Sequence, residues 1–298
     1  MAAGLAVLFG AGCGSGGGSG GGSGGGSAPA ATTAPGSTGS TGGGGGSSSA
    51  GTGGSGGSSG EFQLSYRGRN YFLLAPDGLS SGAPIPLVVC FHGAGDTAAN
   101  FWNTMKAAGW DQAARAQKVL LLVPDTQSPF GDWANWSGNP ANDFAAMRSE
   151  LDAVVDLALR DVGARYDVDT RSLHALGFSN GGLFVAVAGL PHPAFATCSI
   201  FGYGWGASYL VSPSTPRPVQ MACGDRDTRF FGPAQSSQAF LAAQGHDLRW
   251  EPVVGVGHSF FGISGALGPG GLLSWALSRP LSAAASGGGT GAGSGGAG

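Results

Sequence analysis

Charge is missing from both ends of this 298-residue chain: no Asp, Glu, Lys or Arg precedes Glu61 or follows Arg279. Where charge does occur, 14 Lys and Arg stand against 17 Asp and Glu, a formal net charge of −3 with no basic cluster. A general binder of nucleic acid or other polyanions needs a basic face, so that class is excluded. No cysteine pair has the spacing of a zinc site and no two of the five histidines sit four residues apart. Neither a metal nor another cofactor is therefore expected. The apolar start, MAAGLAVLFGAGC, is too short to span a bilayer.

What fills the uncharged ends is glycine and serine. Of the 60 glycines, 26 fall within residues 1–60, and such a composition has too little apolar side chain to offset the entropy of ordering the backbone. Residues 14–60 read as a flexible tether and 282–298 as a tail of the same kind, leaving residues 61–281 as the domain. Segment 1–13 resembles the end of a bacterial lipoprotein signal, with Ala11 and Gly12 before Cys13, although Gly10 stands where leucine is usual. It predicts an extracellular or cell-surface protein attached to a membrane through a lipid on Cys13. Cys90, Cys198 and Cys223 each lie in an apolar run. An odd number in such runs reads as small core residues, and the sequence does not choose a pair should one form.

Within the domain, short apolar runs alternate with helical patterns, the rhythm of an α/β protein with a mainly parallel sheet and helices on both faces. EFQLSY and NYFLLAP, joined at Arg67-Gly68, read as paired strands, and PIPLVVCF as a strand buried on both faces. A helix is predicted from about Thr97 to Gln117, then a strand at Val119–Pro124 and a long connection over 125–141 that holds two tryptophans. Phe144, Met147, Leu151, Val154, Ala158 and Val162 step by three or four and mark one face of a long helix. Strands follow at Ser172–Phe178, TCSIFG, PVQMAC and LRWEPVV, with helices over LFVAVAGL, about Ala234–Gln244, and Leu272–Leu277.

Six serines match G-x-S-x-G, the pattern of a turn that holds a nucleophilic hydroxyl above a sheet: Ser19, Ser23, Ser55, Ser58, Ser80 and Ser179. A tether cannot hold a strained turn, which removes the first four, and Ser80 has neither a buried strand leading into it nor a helix after it. Ser179 alone joins a buried strand to a helix. A serine hydroxyl needs a base beside it, and the base needs an acid to fix its tautomer; after an elbow of this kind they follow in the chain order Ser, acid, His.

Three histidines follow Ser179. His192 reads as a solvated loop residue and His246 as a cation favoured at a helix C-terminus. His258 follows the last strand, with Gly257 beside it for close approach, and is the expected base. Asp225 and Asp227 both lie just past a strand end, where ligands gather in open α/β sheets; Asp227, 31 residues before His258, is preferred as the acid. The backbone N–H groups of Asn180 and Ala94 are the expected oxyanion donors, in a loop His92-Gly93-Ala94-Gly95 whose glycines admit close approach. The side chains of His92 and His174 read as structural. Trp133 and Trp136 leave two readings open, substrate binding along an acyl cleft or ordinary core packing.

FHGAG, GWDQAARAQKVLLLVPD, the W-x-x-W of Trp133 and Trp136, RYDVDTRSLHALGFSNGG and CGDRD together resemble the polyhydroxybutyrate depolymerase family of α/β-hydrolase esterases, a group that includes feruloyl and acetylxylan esterases. The similarity covers most of residues 61–280. It implies an α/β-hydrolase fold, ester hydrolysis without a cofactor through Ser179, Asp227 and His258, and an ester substrate, either a hydroxyalkanoate oligomer or an acylated plant polysaccharide. This chain has Ala94 and Asp96 where many relatives carry cysteine or glutamine after the His-Gly pair, and DWANW where the family has a cysteine-bearing segment. A hydrolase-like domain that binds without turnover is the alternative from another class.

Overall fold

The computed structural model describes residues 57–79, 82–128, 131–134, 140–204 and 216–282. Cys13, Ser80, Trp136, most of the Gly/Ser-rich tether and nearly all of the tail lie outside the described residues.

Among the described residues, eight strands form one sheet. β1 (Gly60–Tyr66) and β2 (Arg69–Ala75) make the expected hairpin. Its two turn residues, Arg67 and Gly68, have φ of 49° and 79°, the positive pair that matches the twist of a two-residue hairpin. β3 (Ile85–Phe91), β4 (Leu120–Pro124), β5 (Val168–Phe178), β6 (Thr197–Phe201), β7 (Val219–Gly224) and β8 (Leu248–Val253) follow. The spatial order is β1-β2-β4-β3-β5-β6-β7-β8, with the β1–β2 and β2–β4 pairings antiparallel and the other five parallel. The continuous apolar character of β3 has the predicted cause. Leu87, Val89 and Phe91 enter one core and Val88 and Cys90 the other, on opposite faces of the sheet.

Among the described residues, seven α-helices cover the two faces. α3 (Pro140–Asp156), α4 (Asn180–Phe184) and α5 (Phe231–Ala243) pack on the face of Leu87 and Phe91. α1 (Ala98–Ala107), α2 (Trp110–Gln117), α6 (Phe260–Leu267) and α7 (Pro269–Leu277) pack on the other. Both α3 and α4 end in π-helical turns, Leu157–Val162 and Val185–Gly189.

Several local expectations change. The single helix expected over Thr97–Gln117 divides at Gly109, whose φ of 86° cannot continue a helix. Thr97 caps α1 by accepting from the Asn100 N–H at 3.2 Å. The strand predicted from Ser172 begins at Val168, and α7 begins at Pro269. α6 was not foreseen, because FFGISGAL is apolar around its whole circumference and carries two glycines, so it shows no helical stripe. β1 starts at Gly60, one residue ahead of the expected boundary, and the Tyr166 hydroxyl donates to the Ser58 carbonyl at 2.6 Å.

Candidate active site

The C-terminal ends of β3, β5, β7 and β8 point the same way, and four loops leave from them. β5 delivers Ser179. The residue stands between strand and helix at φ 53° and ψ −115°, a region that only an over-determined turn sustains. The glycines of the motif explain how the turn closes. A Cβ on Gly177 would lie 2.1 Å from the Gly181 carbonyl oxygen, and one on Gly181 would lie 2.2 Å from that of Phe91. The Ser179 N–H donates to the Phe201 carbonyl at 2.9 Å, pinning the elbow to β6.

The Ser179 hydroxyl lies 2.9 Å from His258 Nε2, and His258 Nδ1 lies 2.6 Å from Asp227 Oδ2. Asp227 is 3% exposed, and its Oδ1 accepts from the N–H groups of Arg229 and Phe230 at 3.3 and 3.1 Å. Both carboxylate oxygens thus have partners, and the residue that orients the imidazole is itself fixed. The Cys223 thiol sits 3.9 Å from Asp227 Oδ2 and is pushed up to about 12 by burial and by that carboxylate, so it stays a neutral neighbour.

Two features of the histidine were not legible beforehand. The ring lies between Phe178 and Phe230, with both centroids 4.9 Å away. This aromatic clamp restricts the imidazole to the plane that serves both Ser179 and Asp227. The close approach expected at Gly257 occurs elsewhere: a Cβ on Gly257 would meet nothing within 4 Å, whereas one on Gly224 would lie 2.1 Å from the Val256 carbonyl oxygen. Gly224, at the end of β7, is what lets the histidine loop cross.

The remaining candidates separate cleanly. Asp225 Oδ1 accepts from the Gly255 N–H at 2.7 Å, so it ties the acid loop to the histidine loop and leaves Asp227 to meet the ring. His192 is not the solvated residue expected, since its side chain is 14% exposed and bonded to Asp152 at 3.1 Å. His246 is buried, with Nδ1 3.0 Å from the Arg217 N–H. His174 is a core residue, as expected; Thr197 Oγ1 and Ser172 Oγ flank its ring at 2.9 and 3.3 Å, and burial pushes its pKa down to about 4. His92 is fully buried, and burial likewise lowers its pKa.

On the oxyanion side, Gly93 approaches the elbow so closely that a Cβ there would lie 3.5 Å from the Ser179 Cβ. The backbone N–H groups of Ala94 and Asn180 donate to no acceptor among the described residues. Two free donors, one at the N-terminus of α4 where the helix dipole favours negative charge, are what a developing oxyanion requires.

Trp133 does not line a cleft. It is 3% exposed and packs against Phe91, His92 and Phe184 with ring centroids 5.0 to 5.3 Å apart, so its large apolar surface is spent on the core. Cys90, Cys198 and Cys223 are buried free thiols. Among the described residues no group of three or more His, Cys, Asp or Glu gathers as a metal site would require.

Beyond the oxyanion loop lies an open polar cavity of about 630 Å³. Asn70, Asp96, Thr97, Asp125, Thr126 and Gln127 are among the residues that line it.

Sheet order, crossover pattern and the strand–turn–helix at Ser179 define an α/β-hydrolase fold, and comparison with solved structures agrees. A thermostable esterase aligns at a TM-score of 0.56 with 20% identity, covering 74% of this chain and 62% of its own. A CE1 ferulic acid esterase from the anaerobic fungus Anaeromyces mucronatus aligns at 0.55 with 16% identity, covering 72% and 92%. At these identities the likeness establishes the fold. In sequence, the chain is 30% identical over 175 residues to a Nocardia uniformis subsp. tsuyamanensis protein named "Putative esterase NocK", covering 56% of this chain. The chain spans about half of that relative's length, 47% of it. No protein-family model matches the chain.

Proposed function

We propose that the protein is a serine carboxylic ester hydrolase that works through an acyl-enzyme. The observation that carries this reading is the hydrogen-bonded line Ser179, His258, Asp227, with 2.9 and 2.6 Å separations, beside two N–H donors that meet no acceptor among the described residues. Ser179 Oγ attacks the ester carbonyl carbon while His258 Nε2 takes its proton. The carbonyl oxygen, now negative, is held by the Asn180 and Ala94 N–H groups. As the ester C–O bond breaks, His258 returns the proton to the leaving alcohol. A water molecule then attacks the acyl-enzyme, His258 acting once more as base, and the acid is released with Ser179 restored. Asp227 holds the Nδ1–H tautomer and stabilises the imidazolium without itself taking the proton. Covalent labelling by a fluorophosphonate tests this against binding without turnover: stoichiometric labelling lost in Ser179→Ala supports hydrolysis, and an unlabelled wild-type chain removes it.

For the substrate, the motif resemblance favours short hydroxyalkanoate oligomers of the polyhydroxybutyrate type. A second reading, acyl groups on plant polysaccharide, draws support from the polar cavity beside the oxyanion loop, whose hydroxyl, amide and carboxylate groups suit a polyhydroxylated alcohol. The ratio of kcat/KM for a 3-hydroxybutyrate trimer to that for methyl ferulate separates the two: well above one favours the former, well below one the latter. Export and lipidation at Cys13 belong to the same proposal, supported by Ala11-Gly12-Cys13. Intact mass in membrane fractions tests it, and an unlipidated chain retaining Met1 would remove it.

A further inference from the structure

Beyond the last paired residues of β3 and β5, Phe91 and Gly177, the sheet no longer sets the distance between the two chains. Yet both proposed oxyanion donors, Ala94 and Asn180, lie past that point. Their spacing has to be set by something other than the ladder, and the structure supplies a bridge in residues 131–134.

One side of the bridge is the Asn180 side chain. Its Oδ1 accepts from the N–H groups of Trp133 and Ala134 at 2.8 and 3.1 Å, and its Nδ2 donates to the Ala134 carbonyl at 3.2 Å. Only a primary amide of this length offers two acceptor sites and a donor in one plane. The other side is the oxyanion loop, where Gly95 N–H donates to the Gly131 carbonyl at 3.2 Å. Gly131 has φ 69°, and a Cβ on it would lie 3.2 Å from Gly95 Cα and from the Asp96 carbonyl oxygen. Between them the Trp133 ring wedges against Phe91 and His92 from β3 and its loop and against Phe184 from α4.

We propose that Asn180 has a second role carried by its side chain: it is a positioning residue that, through residues 131–134, fixes the separation between its own backbone N–H and that of Ala94. This rests on the serine-hydrolase reading above. An oxyanion forms bonds of full strength only where both donors stand at hydrogen-bonding distance from one point, so a loosened bridge weakens the transition state more than the bound substrate.

The test uses the full chain carrying Asn180→Ala, Gly131→Ala or both. For each, kcat and KM for p-nitrophenyl acetate and the Ki of an aryl trifluoromethyl ketone, whose adduct places an oxyanion between the donors, are measured beside the thermal midpoint. Each single variant is expected to lower kcat by about 10- to 100-fold, below the cost of deleting a donor outright. KM should stay within about two-fold while Ki rises by a factor similar to the loss in kcat. The double variant should be no worse than the poorer single one, because both cut the same bridge. A kcat within two-fold of wild type, a lower kcat with unchanged Ki, or additive losses would each overturn the proposal. Should Asn180→Ala fail to fold, Gly131→Ala decides on the same readouts. Ser179→Ala separates the two levels: an active Ser179→Ala removes Ser179 as the nucleophile on which the bridge depends, whereas an inactive one beside an unimpaired Asn180→Ala removes only the bridge.

Discussion

β5 carries one Ser–His pair and delivers the serine of a second, and the two could hardly differ more. At its middle, Ser172 Oγ lies 3.3 Å from His174 Nε2, with Thr197 on the ring's other nitrogen. At its end, Ser179 Oγ lies 2.9 Å from His258 Nε2, with Asp227 on the other nitrogen. The first pair is buried, within a strand and with a neutral third member. The second is half-exposed, in a strained turn, with a carboxylate behind it. On the proposed mechanism, proximity to a histidine is therefore not what distinguishes Ser179 from Ser172. Access, a turn that presents the hydroxyl, and an anion that stabilises the imidazolium make the difference.

That contrast breaks most sharply at the hydroxyl. Ser179→Ala should lower kcat on the order of 10⁶-fold with an unchanged circular dichroism spectrum; retention of a few per cent of activity would place the nucleophile elsewhere. Next comes the third member. Asp227→Asn keeps the shape but fixes the wrong tautomer, and kcat should fall on the order of 10⁴-fold in stopped-flow or endpoint assays. If the loss were only a few-fold, the carboxylate would be no more important than Thr197 is to His174.

A smaller effect belongs to the buried pair. His174 is held near 4 by burial, below the 6.5 of an unfolded histidine. Between those values the unfolded chain binds a proton that the folded one refuses, so stability is full above about pH 6.5 and falls as the pH drops toward 4, by about 3 kcal/mol from this residue. Urea unfolding across that range measures the slope. His174→Gln should flatten it, leaving the part contributed by His92, His192 and His246, which burial shifts in the same direction. Smallest of all, Ser172→Ala should leave kcat within about two-fold while its mirror image at Ser179 abolishes it, since Ser172 lacks both the turn and the anion.

Much of the site was readable because chain order and strand ends carry it. Ser179, Asp227 and His258 each follow a run that forms a parallel strand, and the glycines of GFSNGG record backbone contacts that exclude a Cβ. What escaped was set by side chains from distant segments. Nothing in the local pattern of Phe178 or Phe230 announces a clamp on His258. Trp133 looked equally suited to cleft and core, because an aromatic residue in a long loop is compatible with either until its neighbours are known. Helix α6 lacked a polar face and so gave no period to detect.

The three thiols have a consequence of another kind. Cys90, Cys198 and Cys223 sit fully enclosed, and burial raises the pKa of each, to about 12 for Cys198 and Cys223. Thiolate is the species that exchanges with disulfides and reacts with oxidants, so all three are chemically quiet. The domain's covalent structure is accordingly indifferent to redox poise: the same fold, with the same free thiols, suits a reducing cytosol and an oxidising exterior alike.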